Sequence, residues 1–194
     1  FQQTIGTVVE DCVCEGNAGH GLHPGSGSVG AVIRHCTCRQ NGVEGIYYCL
    51  RVSFSLCERS TFEGNGRHGI SIGGRDTDHL IRRNVIRANA REGVYFRPHD
   101  AVMAGHRNVL EANEVAGNCR SEGDAEIHVA APVRDVYLLG NRIEPASDAV
   151  APVRVAEGAA VHYEPADPPL AVGPDHAPPD AARHLSPENA EDSP

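Results

Sequence analysis

The sequence predicts an all-β chain wound as a right-handed parallel β-helix, with about 24 residues and three short strands in each coil. Three observations carry this prediction. Asn17, Asn41, Asn65 and Asn89 recur every 24 residues, each followed four positions later by Gly21, Gly45, Gly69 or Gly93 and then by an apolar residue. A fixed period of this length marks a solenoid, in which one copy is one coil and the core forms only by stacking. The apolar runs between these markers are short and bounded by Gly or Asn, which suits strands and fits no helical period. Finally, outward positions alternate in charge from copy to copy, as in-register parallel stacking requires.

The first strand of each coil opens on an apolar pair: Val8-Val9, Val32-Ile33, Leu56-Cys57 and Leu80-Ile81, continued by Val109-Leu110 and Leu138-Leu139. The second carries Cys12-x-Cys14, Cys36-x-Cys38, Ser60-x-Phe62, Asn84-x-Ile86, Asn113-x-Val115 and Asn141-x-Ile143. Two positions apart on a strand, these residues point to one side, the inside. The third strand is Gly21-Leu22, Gly45-Ile46, Gly69-Ile70 and Gly93-Val94, with Glu126-Ile127 as a later copy. Asn tolerates the left-handed conformation of a tight corner, and its amide can bond the copies above and below, so Asn17, Asn41, Asn65, Asn89 and Asn118 are expected to form a stacked structural column.

Outside, Glu10, Arg34, Glu58, Arg82 and Glu111 alternate in sign, as do Glu15, Arg39, Glu63 and Arg87. Such pairs fix register more than they stabilise. His20, Glu44, His68 and Glu92 follow the same rule. Their linear spacing suits a pH-sensitive surface ladder and not the convergence a metal needs, so no metal ligand is assigned.

Residues 1–163 form the predicted β-helix domain, of about six coils. From Glu164 onward eight prolines crowd a segment holding seven acidic residues and one arginine, and residues 164–194 are expected to be a disordered acidic tail. That tail carries −6 of the net −9, so the body lacks the basic excess that nucleic acid would call for. No stretch is apolar and long enough to span a membrane. The chain starts at Phe1 and runs straight into a coil without a polar cap, from which upstream coils of a longer protein are expected. The seven cysteines fall mostly in inward columns and read as small core residues.

Chemistry is expected on the third strand. The residue after its inward apolar position points out, giving the column His23, Tyr47, Ser71, Tyr95 and His128 as candidate substrate contacts. Rings and imidazoles on a flat parallel sheet can stack on sugars and bond hydroxyls, with Arg51, Arg75 and Arg97 near the strand ends to meet carboxylates. The 24-residue register breaks after Val94, adding residues in Arg97 to His106 and around Cys119 to Asp124. Insertions in solenoids gather on the functional side. The first holds Tyr95, Arg97, His99 and Asp100 within six residues, the parts needed to neutralise a uronate carboxylate and move the neighbouring proton. A surface loop in which Pro98 ends the strand is the structural alternative.

The Asn/Gly coil pattern resembles the repeat of pectate-lyase-like β-helix proteins over about residues 5–145. Phe96-Arg97-Pro98-His99-Asp100 is similar to the Asp-Pro-His-Asp motif of mannuronan epimerases, matching at Pro98, His99 and Asp100, with Arg97 in place of the first aspartate. The resemblance implies an extracellular or periplasmic monomer that binds or processes an extended, uronate-containing polysaccharide, as a lyase, epimerase or glycoside hydrolase if it is an enzyme. A non-catalytic scaffold for surface display or protein interaction is the alternative. No cofactor is predicted, with a divalent cation such as calcium left open.

Overall fold

The computed structural model describes residues 1–163; the segment 164–194, expected to be disordered, lies outside the described residues. The chain winds through about six turns whose strands stack into three parallel sheets. The first sheet holds Val8–Glu10, Val32–Arg34, Leu56–Glu58, Leu80–Arg82, Val109–Glu111, Val136–Leu139 and Val161–Tyr163. The second holds Val13–Glu15, Thr37–Arg39, Thr61–Glu63, Val85–Arg87, Glu114–Ala116 and Arg142–Glu144, and the third Ile46–Tyr47, Ile70–Ile72, Val94–Phe96, Ala125–Val129 and Ala151–Val155. Among the described residues no helix is long and apolar enough to cross a membrane.

Strands only two to five residues long cannot be stable alone, and stacking supplies what they lack. Ile33, Cys57, Ile81 and Leu110 line the interior from the first sheet, Cys38, Phe62, Ile86 and Val115 from the second, and Ile46, Ile70, Val94 and Ile127 from the third. Each fully buried aliphatic chain contributes about 1.5–3 kcal/mol. The expected register holds with one slip. Val109-Leu110 pairs with Tyr137-Leu138 rather than Leu138-Leu139, because Leu138 is the residue that enters the core. Cys36, Cys38 and Cys57 are buried as expected and all seven cysteines are free. Cys12, expected inside, is exposed, since it lies in the first coil, where burial is incomplete.

Each coil turns its corners on left-handed residues. Asp11, His35, Arg59, Arg83 and Ala112 follow the first strand, and Gly16, Gln40, Gly64, Ala88 and Gly117 follow the second, all with positive φ. The asparagines do not adopt this conformation, contrary to expectation; each sits one residue after the left-handed one and works through its side chain. Asn17, Asn41, Asn65 and Asn89 each donate from Nδ2 to the next Oδ1 at 2.8–2.9 Å, ending on Asn118. Each of these Oδ1 atoms also accepts the preceding asparagine's backbone N–H.

This ladder explains why glycine recurs four residues after each asparagine. A Cβ on Gly45 would lie 2.7 Å from the Gly69 carbonyl oxygen and 2.9 Å from Asn65 Nδ2, so the next coil's amide occupies the space a side chain would need. Glu126 stands at the glycine position of the fifth coil, opposite Gly93 in the register set by Val94 and Ile127. Its fully buried carboxylate accepts from Asn118 Nδ2 at 2.6 Å and from Asn118 N at 3.0 Å. The charge columns pair as expected, Arg34 to Glu10 at 2.7 Å, Arg82 to Glu58 at 2.8 Å, Arg39 to Glu15 at 2.9 Å and Arg87 to Glu63 at 3.2 Å.

Candidate functional site

Both insertions flank the third sheet. The segment 97–106 leaves its fourth coil and the segment 119–124 enters its fifth. Register places Tyr47 beside Ser71, Ser71 beside Tyr95 and Tyr95 beside His128, so the expected outer column exists. Its members do not form one open surface.

Ser71 is fully buried, because Arg97 folds back over it: Nη1 donates to Ser71 Oγ at 2.7 Å and Nη2 to the Tyr48 carbonyl oxygen at 2.6 Å. The guanidinium lies 4.2 Å from the centre of the Tyr47 ring and 3.4 Å from Asp76 Oδ2. The one small residue of the column is thus the seat of an internal arginine, and neither group is exposed as the sequence suggested. Tyr47 also stacks on His20 at 4.5 Å, with His23 edge-on to both rings. Burial, followed by the neighbouring His20 imidazole, pushes the His23 pKa below its ordinary value. Burial pushes Asp76 up to about 6, against the N–H groups of Val52 and Gly73 and the charge of Arg97.

Two coils further on, Tyr95 stacks on His68 at 4.6 Å and meets His128 edge-on. Beneath these rings runs a continuous acid–imidazole chain. His20 Nδ1 lies 2.7 Å from Glu44 Oε2, Glu44 Oε1 3.2 Å from His68 Nδ1, and His68 Nε2 3.1 Å from Glu92 Oε2. The sequence suggested a surface ladder, but Glu44 and His68 are each only 1% exposed, covered by the tyrosines. Burial works against ionisation of Glu44, yet the His68 hydrogen bond and the charges of Arg67 and His20 outweigh it and lower its pKa. Glu92 is held well below the carboxylate range, burial being overcome by the imidazoles of His128 and then His68 that face it.

His99 and Asp100 lie exposed on the first insertion, where Asp100 Oδ1 accepts the Met103 N–H at 2.8 Å and closes a turn. The far half of the same loop walls a cleft of about 380 Å³ between the third and first sheets, with Arg51, Ser53, Arg75 and Thr77 on its floor and Val102, Ala104, His106 and Arg107 around it. Ser53 bridges Thr77, which sets Arg51 directly beside Arg75. Both arginines are exposed, both are left-handed at φ 64° and 60°, and neither has an acidic partner among the described residues. Arg107, by contrast, is held by Asp78 through two bonds of 2.8 Å.

The sequence reading placed Arg51 and Arg75 at the ends of the aromatic face. The structure sets them around the corner and adds Ser53, Thr77 and His106, which that reading missed. Part of the signal was available: like stands on like here at a spacing of 24, as it also does at Arg59 and Arg83, whereas the Glu10 and Glu15 columns alternate.

Residues 2–143 match the family model of the right handed beta helix region. The chain belongs to this family. Among solved structures, this right-handed β-helix superposes on a double mutant of the periplasmic alginate epimerase AlgG with a TM-score of 0.72 at 16% identity, over 84% of this chain and 45% of that one. It is also similar to the A-module of the Azotobacter vinelandii mannuronan C-5 epimerase AlgE4, with a TM-score of 0.58 at 13% identity over 83% and 54% of the two chains. A third is the Dettilon tailspike protein, with a TM-score of 0.61 at 16% identity over 81% and 32%. The chain therefore spans about half or less of the length of these structures, and the likeness is one of fold. Curated protein sequences give no match.

Proposed function

We propose that this β-helix binds an extended, uronate-containing polysaccharide in an extracellular or periplasmic setting, at the corner between its third and first sheets. The unpaired Arg51–Arg75 column on the floor of the cleft carries the reading, since Arg59 and Arg83, equally unpaired among the described residues, stand outside that cleft. In-register parallel stacking brings coils about 4.8 Å apart, and two guanidiniums held side by side repel unless an anion joins them. Guanidinium forks match carboxylates bidentately, and the hydroxyls of Ser53 and Thr77 lie on the same floor for sugar hydroxyls. The acidic body outside the cleft disfavours binding of the polymer elsewhere. Tyr47, already covered by His20 and Arg97, contributes shape more than a free stacking face. His99 and Asp100, on the loop that walls the cleft, are the acid/base candidates of this reading, with Tyr95 beside them in sequence.

A second reading, binding without turnover, is favoured by one observation. The Asp100 carboxylate closes a turn and the Arg97 guanidinium is spent internally, so two of the four expected catalytic groups are already engaged. Titration with alginate and pectate, together with assays for unsaturated product and for solvent exchange at C-5 of the uronate, tests both readings. Salt-sensitive binding is expected, falling at least about tenfold in Arg51→Ala/Arg75→Ala. Turnover lost in His99→Ala with binding intact would select the enzyme, and binding without turnover in the parent would select the scaffold. A parent chain that retains no polyuronate at low salt sinks the proposal.

A further inference from the structure

We propose that Glu92, Asp124 and His128 form a binding site for a divalent transition metal ion of the zinc class. One ligand atom from each lies within 4.8 Å of the other two. Glu92 Oε1 is 3.8 Å from His128 Nδ1, too long for a hydrogen bond and near the roughly 3.3 Å between two ligands on a tetrahedral ion with bonds of about 2.0 Å.

Charge order and an orphaned oxygen atom both call for a cation here. His20, Glu44, His68 and Glu92 alternate along their column, so the fifth coil owes Glu92 a cation. Register puts Ala125 there, and the second insertion brings the Asp124 carboxylate instead, the reverse of the rule kept by the other acid columns. Each carboxylate already spends one oxygen on a basic side chain, Glu92 Oε2 on His68 at 3.1 Å and Asp124 Oδ2 on Arg154 at 2.7 Å. The remaining Asp124 Oδ1 is buried with no hydrogen-bond partner, a costly arrangement that a bound cation relieves. Glu92 itself is 7% exposed.

The insertion also closes over the site from outside. Gly123, at φ 110°, packs so tightly that a Cβ there would lie 2.9 Å from Cys119 Sγ and 3.1 Å from Glu92 Oε1. The Cys119 thiol borders this loop but donates to the Ala125 carbonyl oxygen at 3.2 Å and stands outside the three-ligand cluster. Two carboxylate oxygens and an imidazole, with a fourth position left for water, suit zinc or cobalt rather than calcium, which takes oxygen ligands at higher number. The site is distinct from the His/Glu column considered from the sequence, since its convergence comes from Asp124 and His128, which only the insertion brings together.

The full chain, stripped with a chelator and titrated with Zn²⁺ or Co²⁺ by calorimetry and visible absorption, tests this. Expected are one ion per chain, the intense visible bands of four-coordinate cobalt, and affinity reduced at least tenfold in both Asp124→Asn and His128→Gln. The metal should raise the melting temperature of the parent and leave that of Asp124→Asn unmoved. Because the chelated parent and the Asp124→Asn variant are compared by melting as well, loss of binding through misfolding is separated from loss of a ligand. Absence of binding at 100 μM metal, as a probe concentration on the order of weak sites, or binding unchanged in both variants as the Cys12, Cys14, Cys36 and Cys38 columns would give, overturns the proposal.

Discussion

The corner after the second strand and the corner before the first solve the same problem with different chemistry. After the second strand, one residue type repeats without a gap from Asn17 to Asn118, and each amide satisfies a backbone N–H of its neighbour. Before the first strand, the equivalent column reads Ala31, Ser55, His79, Asn108 and Val136. There Ser55 N donates to His79 Nδ1 at 3.3 Å and His79 N to Asn108 Oδ1 at 2.9 Å, and the pattern goes no further. The uniform corner is scaffold alone. The mixed corner gives up repetition and carries the cleft, the loop 97–106 and the unpaired arginines. Asn108 ties that loop down by donating to the carbonyl oxygens of Asp76, Gly105 and His106.

The largest expected difference between the corners is in acid. His79 is fully buried and stacked on Tyr48, its Nε2 has no hydrogen-bond partner, and burial pushes its pKa down to about 3. Between the ordinary histidine value and about 3 the unfolded chain binds the proton and the folded chain does not, so stability falls as pH falls through that window, by about 4–5 kcal/mol in full. Asp76 opposes this. Raised to about 6 by burial, it gains stability on protonation as pH falls towards 4, by at most about 3 kcal/mol, which leaves a net loss. Denaturant unfolding at a series of pH values should show His79→Asn, which writes the other corner's residue into this one, with a flatter acid limb than the parent. Identical limbs would break the comparison.

A smaller loss is expected from the reverse experiment. Asn65→Ala removes the partner of the Asn41 N–H, of one Asn41 amide hydrogen (the other stays bonded to the Cys14 carbonyl oxygen) and of the Cys38 carbonyl in the interior, and should cost about 3 kcal/mol at pH 7 in the same measurement. An effect below about 1 kcal/mol would mean that water replaces the amide and the ladder is not a scaffold. Least of all is the change at Arg51. Removing its left-handed strain in Arg51→Gly should raise stability by about 0.5–1 kcal/mol while polyuronate binding falls, a trade that only a residue kept for binding would show.

How much was legible in the sequence follows the same division. The Asn17 and Gly21 spacing fixed coil, register and inward columns, because a packing rule applied at every turn leaves a period. The Glu10, Arg34, Glu58 and Arg82 pairing was legible for the same reason. Around the cleft the period lapses, and with it the inference. That Arg97 returns to Ser71 and Tyr48 depends on the path of a loop with no counterpart in other coils. The left-handed residues were hidden because Asp11, Gln40 and Arg59 share no side-chain chemistry, only a place in the turn. Leu138 was misregistered by one because two adjacent leucines satisfy the same pattern.

The termination of the amide column on Glu126 gives the solenoid a polarity. Every side chain from Asn17 to Asn118 donates in the same direction, so the dipoles add and drain into one buried anion. Hydrogen bonds in such a file strengthen one another, and a change at the carboxylate is transmitted to amides it never touches. The two ends are consequently unequal as building material. A coil bearing the Asn and Gly pair can be grafted ahead of Asn17 by repeating what is already there, whereas beyond Glu126 the file is sealed, and lengthening the helix on that side demands a new grammar.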